Sequence, residues 1–203
     1  MFFKRFMAGM LSANCYILGE GGEAAVIDPG VAAEDIEEVL SAQRLSLKYI
    51  ILTHAHIDHI CCMEQLRSIC GGKVVVHDND APLLGNPMLN GTLLFGLNTV
   101  FSEADICVKD GDTLEIGGLK LEILHTPGHT SGSMCIMVGD ELFTGDTLFK
   151  LGVGRTDLAT GDHDLLVKSL NRLMKLDDKI KVYPGHGSAT DIGYERNNNM
   201  GVW

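Results

Sequence analysis

A chain of 203 residues suffices for one full hydrophobic core, so a single domain spanning 1–203 is expected. Its 45% hydrophobic and 21% charged content excludes a disordered or fibrous chain. A formal net charge of −11 argues against nucleic acid and against an anionic membrane surface as partners.

The first ten residues hold Phe2, Phe3 and Phe6 beside Lys4 and Arg5. That stretch is too short and interrupted for an export signal or a membrane span, so it reads as a strand over Phe2–Phe6 and the expected location is cytoplasmic. Residues 15–18 and 24–27 alternate as strands about a Gly-containing turn at 19–22. Ile36, Val39 and Leu40 fall at helical spacing within 33–44, and 47–52 is an apolar run that reads as a buried strand. Over 58–70, Ile60, Met63, Leu66 and Cys70 recur in steps of three and four until Gly71 and Gly72, which predicts one helix. Residues 73–76 form the next strand.

Residues 78–100 differ. They contain Pro82 and Pro87 and show no sustained period, yet carry Leu93, Leu94 and Phe95. A loop of this length in a compact chain is functional or mobile, and its apolar residues make Leu93, Leu94 and Phe95 candidate substrate-binding positions. Beyond it, 113–116 and 119–124 read as a hairpin turning at Gly117 and Gly118, and 133–138 with 141–144 as another. Leu166, Leu170 and Leu173 mark an amphipathic helix over 163–176, and 179–183 is the last strand. The six Cys show no CxxC spacing and read as reduced thiols. Cys15, Cys107 and Cys135 alternate with apolar residues, which predicts core packing.

Chemistry concentrates at the end of the 47–52 run. There Thr53, His54, Ala55, His56, Ile57, Asp58 and His59 place three imidazoles and a carboxylate within six residues. His129, Asp146 and His186 follow later, each after an apolar run and among Gly, Pro or Thr, the residues of tight turns. Five His and two Asp can hold two metal ions that share one carboxylate. The absence of Cys from the set favours a catalytic over a structural site. Zinc is the expected metal, with iron or manganese as alternatives.

This ordered set, HxHxDH then H, D and H, resembles that of the metallo-β-lactamase superfamily. The words HTPGHTSGS, FTGDTLF, VGRTD and YPGHG are similar to those of its glyoxalase II-like (hydroxyacylglutathione hydrolase-like) branch, over about residues 14–196. The resemblance implies an α+β fold, an αββα sandwich of two mixed β-sheets with helices on the outer faces. It implies that His54, His56 and His129 hold one metal, that Asp58, His59 and His186 hold the second, and that Asp146 bridges. It further implies a dinuclear hydrolase in which hydroxide shared by the metals attacks a small-molecule thioester (S-lactoylglutathione-like) or a related acyl ester. Asp58 would be catalytic by orienting that hydroxide. Asp28 would hold a ligand His, Thr53 and Thr130 are candidate supporting donors, and Arg155 with Asp157 reads as a structural pair. His77, His125 and His163 have no place in the set and read as ordinary polar residues.

Two departures stand out. The branch usually has small residues after the Asp-His pair, whereas this chain has Cys61 and Cys62. Full-length glyoxalase II enzymes also carry a C-terminal helical domain with basic residues for glutathione, and 17 residues follow His186 here. That places glutathione recognition in question and turns attention to 78–100 as the substrate wall. Rival readings are a mononuclear-iron persulfide dioxygenase-like oxidoreductase, which shares GRTD but lacks the PGHG form, and a lactone or β-lactam hydrolase using the same metals. A flavodiiron protein is disfavoured by His56, and a non-catalytic binding protein by the complete ligand set.

Overall fold

The computed structural model describes residues 1–7 and 10–202. Strands β1 (Phe2–Phe6), β2 (Cys15–Glu20) and β3 (Glu23–Ile27) run antiparallel in succession. Helix α1 (Ala33–Ala42) then returns the chain so that β4 (Ser46–Ile51) pairs with β3 in parallel. Two short helices, α2 (Ile57–Ile60) and α3 (Met63–Cys70), lead to β5 (Lys73–His77), parallel to β4. After α4 (Ala81–Leu84) the chain reaches β6 (Ile106–Val108), parallel to β5. The first sheet thus reads β1-β2-β3-β4-β5-β6.

The second sheet begins with the meander β7 (Thr113–Ile116), β8 (Leu119–His125), β9 (Met134–Val138) and β10 (Glu141–Gly145). A small ribbon follows, β11 (Leu148–Phe149) with β12 (Gly152–Val153). Helix α5 (His163–Leu173) carries the crossover to β13 (Lys181–Pro184), which lies parallel to β10. Strand β14 (Thr190–Asp191) and helix α6 (Ile192–Asn198) close it, giving the order β14-β13-β10-β9-β8-β7.

The period of two along each strand sorts the side chains into three layers. On β2, Tyr16 and Leu18 face the space between the sheets, where they meet Ile123, Ile136 and Phe143. Cys15 and Ile17 point the other way and pack with Ile36, Leu40 and Leu66 of α1 and α3. On the second sheet Cys135, Leu142 and Val182 face outward onto Leu166, Leu170 and Leu173 of α5. Each such side chain, fully buried, contributes about 1.5–3 kcal/mol. Asp162 caps α5 by accepting from Leu165 N at 2.9 Å. The result is the expected sandwich of two mixed sheets between outer helices. Among the described residues no helix is long and apolar enough to cross a membrane.

Several expectations need correction. The helix read over 58–70 is two helices, broken where Cys62 adopts φ −105° and ψ 8° and its amide turns to Pro29 O at 3.1 Å. Residues 78–100 are not without structure, since they hold α4 and a 3-10 helix at Thr92–Phe95. Cys15 and Cys135 are buried as expected, but Cys107 is exposed. It sits on edge strand β6 between inward-facing Ile106 and Val108, so the alternation turns it away from the core. The strands β11, β12 and β14 and helix α6 carry too few residues to show a period and were not expected.

Candidate metal centre

All seven candidate ligands lie on segments that leave strand ends. Strand β4 ends at Ile51 and delivers His54 and His56 directly into α2, a single turn that carries Asp58 and His59. His129 lies between β8 and β9, Asp146 follows β10, and His186 follows β13. The parallel pairing of β10 with β13 sets Asp146 beside His186, and Gly185 N donates to Gly145 O at 2.7 Å. Gly185 must be glycine here because any Cβ would overlap the Asp146 carboxylate. Gly154, in the GRTD word, is required likewise, since its Cβ would overlap the Asp146 carbonyl.

The structure brings the seven together in three overlapping groups, each with donor atoms within 4.8 Å of one another: His54, His56 and His129; His54, His59 and Asp146; Asp58, His59 and His186. His56 Nδ1 stands 2.9 Å from His129 Nε2, and His59 Nε2 stands 3.2 Å from His186 Nε2. Asp146 spans both halves, with Oδ1 3.3 Å from His59 Nε2 and Oδ2 3.6 Å from both His129 Nε2 and His186 Nε2. His54 Nε2 and Asp146 Oδ1 are buried without any hydrogen-bond partner. Buried polar atoms are almost always satisfied, so two orphans among converging lone pairs fit a cation. Imidazole and carboxylate suit a divalent transition metal.

The outward nitrogens of these rings are held from behind. His59 Nδ1 donates to Asp28 Oδ2 at 2.9 Å, and His129 Nδ1 donates to Arg155 O at 2.8 Å. His54 Nδ1 lies 3.1 Å from Thr53 Oγ1, which itself donates to Asp28 Oδ2 at 2.7 Å. These partners fix the tautomers that turn Nε2 of His54, His59 and His129 inward. Asp28 also accepts from Thr53 N at 2.7 Å and adopts φ 54°, a left-handed conformation that Asp tolerates better than most residues. The expected roles of Asp28 and Thr53 therefore have direct contacts behind them. Thr130 acts one step further out: its hydroxyl donates to Asp80 Oδ2 at 2.7 Å.

Asp80 escaped the sequence reading. It is fully buried and also accepts from Ala55 N at 3.0 Å and Gly132 N at 2.6 Å, tying the His54–His56 segment to the His129 turn. Nothing in the local sequence separates it from Asp78; only its burial does. Asn90 was missed as well. Its carbonyl accepts from Ile57 N at 2.9 Å, and its buried amide reaches Thr99 O at 3.3 Å. It thereby attaches the 78–100 loop to the helix that carries Asp58.

The electrostatics follow from burial and mutual proximity. Burial, and then the neighbouring imidazoles, hold His54 well below its ordinary value; burial and His129 hold His56 down to about 3. Burial opposes the charged form of His59 too, but Asp146 and Asp28 outweigh it and the ring is pushed well up. Burial would raise Asp146, yet His59 first and then His129 and His186 bring it down to about 2. For Asp58 burial is likewise outweighed, here by the hydrogen bond from His186 and by His59, and the carboxyl is lowered. The carboxylates are thus ionised, while His54 and His56 are neutral lone-pair donors, at neutral pH.

The remaining expectations sort as follows. Arg155 and Asp157 form a two-fold hydrogen-bonded pair at 2.7 Å, exposed on both sides. His77 and His125 stack at 3.8 Å between ring centroids, outside the cluster, and His163 opens α5. Cys61 and Cys62 are free thiols with sulfurs 3.6 Å apart. A cavity of about 220 Å³ opens above the cluster, and Leu94 and Phe95 line it whereas Leu93 does not.

Comparison with known proteins points the same way. The profile described as the metallo-beta-lactamase superfamily matches residues 8–186. The hydroxyacylglutathione hydrolase GloC of Haemophilus influenzae is 35% identical, over 92% of this chain and 91% of its own. Among solved structures, the BLEG-1 B3 metallo-beta-lactamase aligns with a TM-score of 0.93 at 36% identity, covering 99% of each chain. The protein TTHA1623, solved in a di-iron-bound form, aligns with a TM-score of 0.86 at 32% identity, covering 97% of this chain and 98% of its own.

Proposed function

The chain belongs to the metallo-β-lactamase superfamily of metal-dependent hydrolases, and on that premise we propose that it is a dinuclear hydrolase of small acyl thioesters. His54, His56 and His129 would hold one ion, Asp58, His59 and His186 the other, and Asp146 both. The observation that carries this reading is Asp146, whose Oδ2 lies 3.6 Å from one ring of each half, His129 and His186, while Oδ1 is buried without a hydrogen-bond partner. Zinc suits five imidazoles and two carboxylates, and iron, held by the similar TTHA1623, suits them too. When bound, such ions supply Lewis acidity and lower the pKa of a nearby water.

The chain's own residues do the rest. Asp58, ionised and at the cavity floor, can orient an attacking water through its free lone pairs. Among the described residues no Ser or Cys lines the cavity, so no hydroxyl or thiol nucleophile competes with water there. Thioester hydrolysis is favoured by the likeness to GloC and by the words HTPGHTSGS, GRTD and PGHG. The likeness to BLEG-1 makes β-lactam hydrolysis the second reading. Elemental analysis should give two metals per chain, and kcat/KM for S-lactoylglutathione should exceed that for a cephalosporin. One metal that added zinc or iron does not change, or a clear preference for the cephalosporin, would overturn the proposal.

A further inference from the structure

The cavity above the cluster is unusual in what faces it. Leu11, Ile57, Leu94, Phe95 and Leu158 form its wall, with the metal cluster as floor. Among the described residues Arg155 is the one Lys or Arg that lines it, and its guanidinium is already engaged by both carboxylate oxygens of Asp157. Arg5 lies beyond His186 and donates to Gly187 O at 3.1 Å. Met88, Leu97 and Val100, on the same 78–100 segment as Leu94 and Phe95, are 69%, 43% and 63% exposed.

Resting on the thioesterase reading above, we propose that this wall is an acyl-chain arm and that the preferred substrates carry unbranched, uncharged acyl groups. Biological thioesters have two halves. The thiol half bears carboxylates or phosphates, for which, among the described residues, the wall offers no Lys or Arg outside an ion pair. The acyl half is the one that an apolar wall can take up, leaving the polar thiol half to project through the mouth into water. Size agrees: a cavity of about 220 Å³ has room for a short acyl chain laid along the wall.

A series of glutathione thioesters with acetyl, butyryl, hexanoyl, octanoyl and lactoyl groups tests this on the metal-loaded chain. Each added methylene should raise kcat/KM about two- to four-fold up to hexanoyl, mainly through KM, and then level off. Lactoyl should fall below butyryl. The slope should flatten in Leu94→Ala and Phe95→Ala, checked for intact metal content, and persist in Met88→Ala. Calorimetry with S-methyl-, S-butyl- and S-hexylglutathione, which cannot be hydrolysed, separates the arm from catalysis. Tighter binding with length but no hydrolysis of any thioester would keep the arm and remove the thioesterase reading. A flat series in both measurements, or a slope unchanged by both wall substitutions, would overturn the arm. If those substitutions shifted the oligomeric state by size exclusion while leaving the slope intact, the patch would instead be an interface between copies.

Discussion

The floor and the wall of the cavity are built by opposite rules. On the floor three of the five rings have a second partner behind them: Asp28 behind His59, Thr53 behind His54, the Arg155 carbonyl behind His129. Asp28 and Thr53 are themselves buried and hydrogen-bonded to each other, so the His54 and His59 side of the floor behaves as one hydrogen-bonded unit. The wall is the reverse. Leu94 is 71% exposed, its segment is a single 3-10 turn between Gly91 and Gly96, and what ties it down is mostly backbone and Asn90. The difference teaches where each function can vary: a change on the floor alters metal chemistry as a whole, while a change on the wall alters which substrate is held.

The sharpest way to break this contrast is at the shared carboxylate. Asp146→Ala should lose metal from both halves and reduce kcat/KM by more than about 100-fold, since loss of a mere supporting partner already costs about 10–100-fold. Full metal content in that variant would show that Asp146 does not serve both. Asp28→Ala ranks next. It strips the partner from His59 and leaves Thr53 N buried and unpaired, so metal affinity should fall about 10–100-fold and stability by about 1–3 kcal/mol. Metal titration with thermal unfolding measures both, and a variant that binds metal as tightly as the parent would reduce Asp28 to a loop residue.

Protons compete for the same floor, with a smaller effect. In metal-free protein His56 is held to about 3 by burial and by His129, against an ordinary value of 6.5 in the unfolded chain. Between those values the unfolded state binds the extra proton, so the stability that neutral His56 brings is present above about pH 6.5 and lost as pH falls toward about 3. His59 has the opposite sign: its raised value adds stability below about 6.5 that is lost as pH rises through its folded value. His56→Gln should therefore lessen the loss of stability of the metal-free chain on going from pH 7 to 4. Denaturant unfolding at several pH values measures it, and an unchanged pH slope would mean that the cluster relaxes to accept the proton.

The same division decides how much could be read in advance. The floor was legible because its chemistry demands rare residue types at fixed spacing. His54, His56, Asp58 and His59 stand in six residues, and the Gly beside Asp146 and His186 marks turns that only a small residue permits. Strands were legible where they alternate long enough to show a period, as in β2 and β8, while their arrangement as a sandwich came from the family resemblance. Asp80 was hidden because long-range burial, not sequence context, gives it its role. The break between α2 and α3 was hidden because Ile60, Met63 and Leu66 keep helical spacing across it while the backbone turns at Cys62 to reach Pro29. Within 78–100, Leu93 was indistinguishable from Leu94 and Phe95, since no period assigned faces in so irregular a segment.

Asn90 is where floor and wall meet, and it gives the finest test of their separation. Its side chain accepts from Thr92 N at 3.0 Å and donates to Thr99 O and Leu84 O at 3.3 and 3.4 Å. Its backbone carbonyl, by contrast, receives Ile57 N at the start of the helix that bears Asp58 and His59. Asn90→Ala removes the first set and keeps the second. The three lost bonds lie within the wall, and two of them are long, so a loss of about 1–2 kcal/mol of stability is expected. Metal content should stay at the parent level, because the carbonyl that steadies α2 is still present. KM for an acyl thioester should rise a few-fold as Leu94 and Phe95 lose their fixed position, with kcat changed less. If Asn90→Ala instead released metal, the wall would be part of the scaffold of the floor, and the two regions would have to be treated as one.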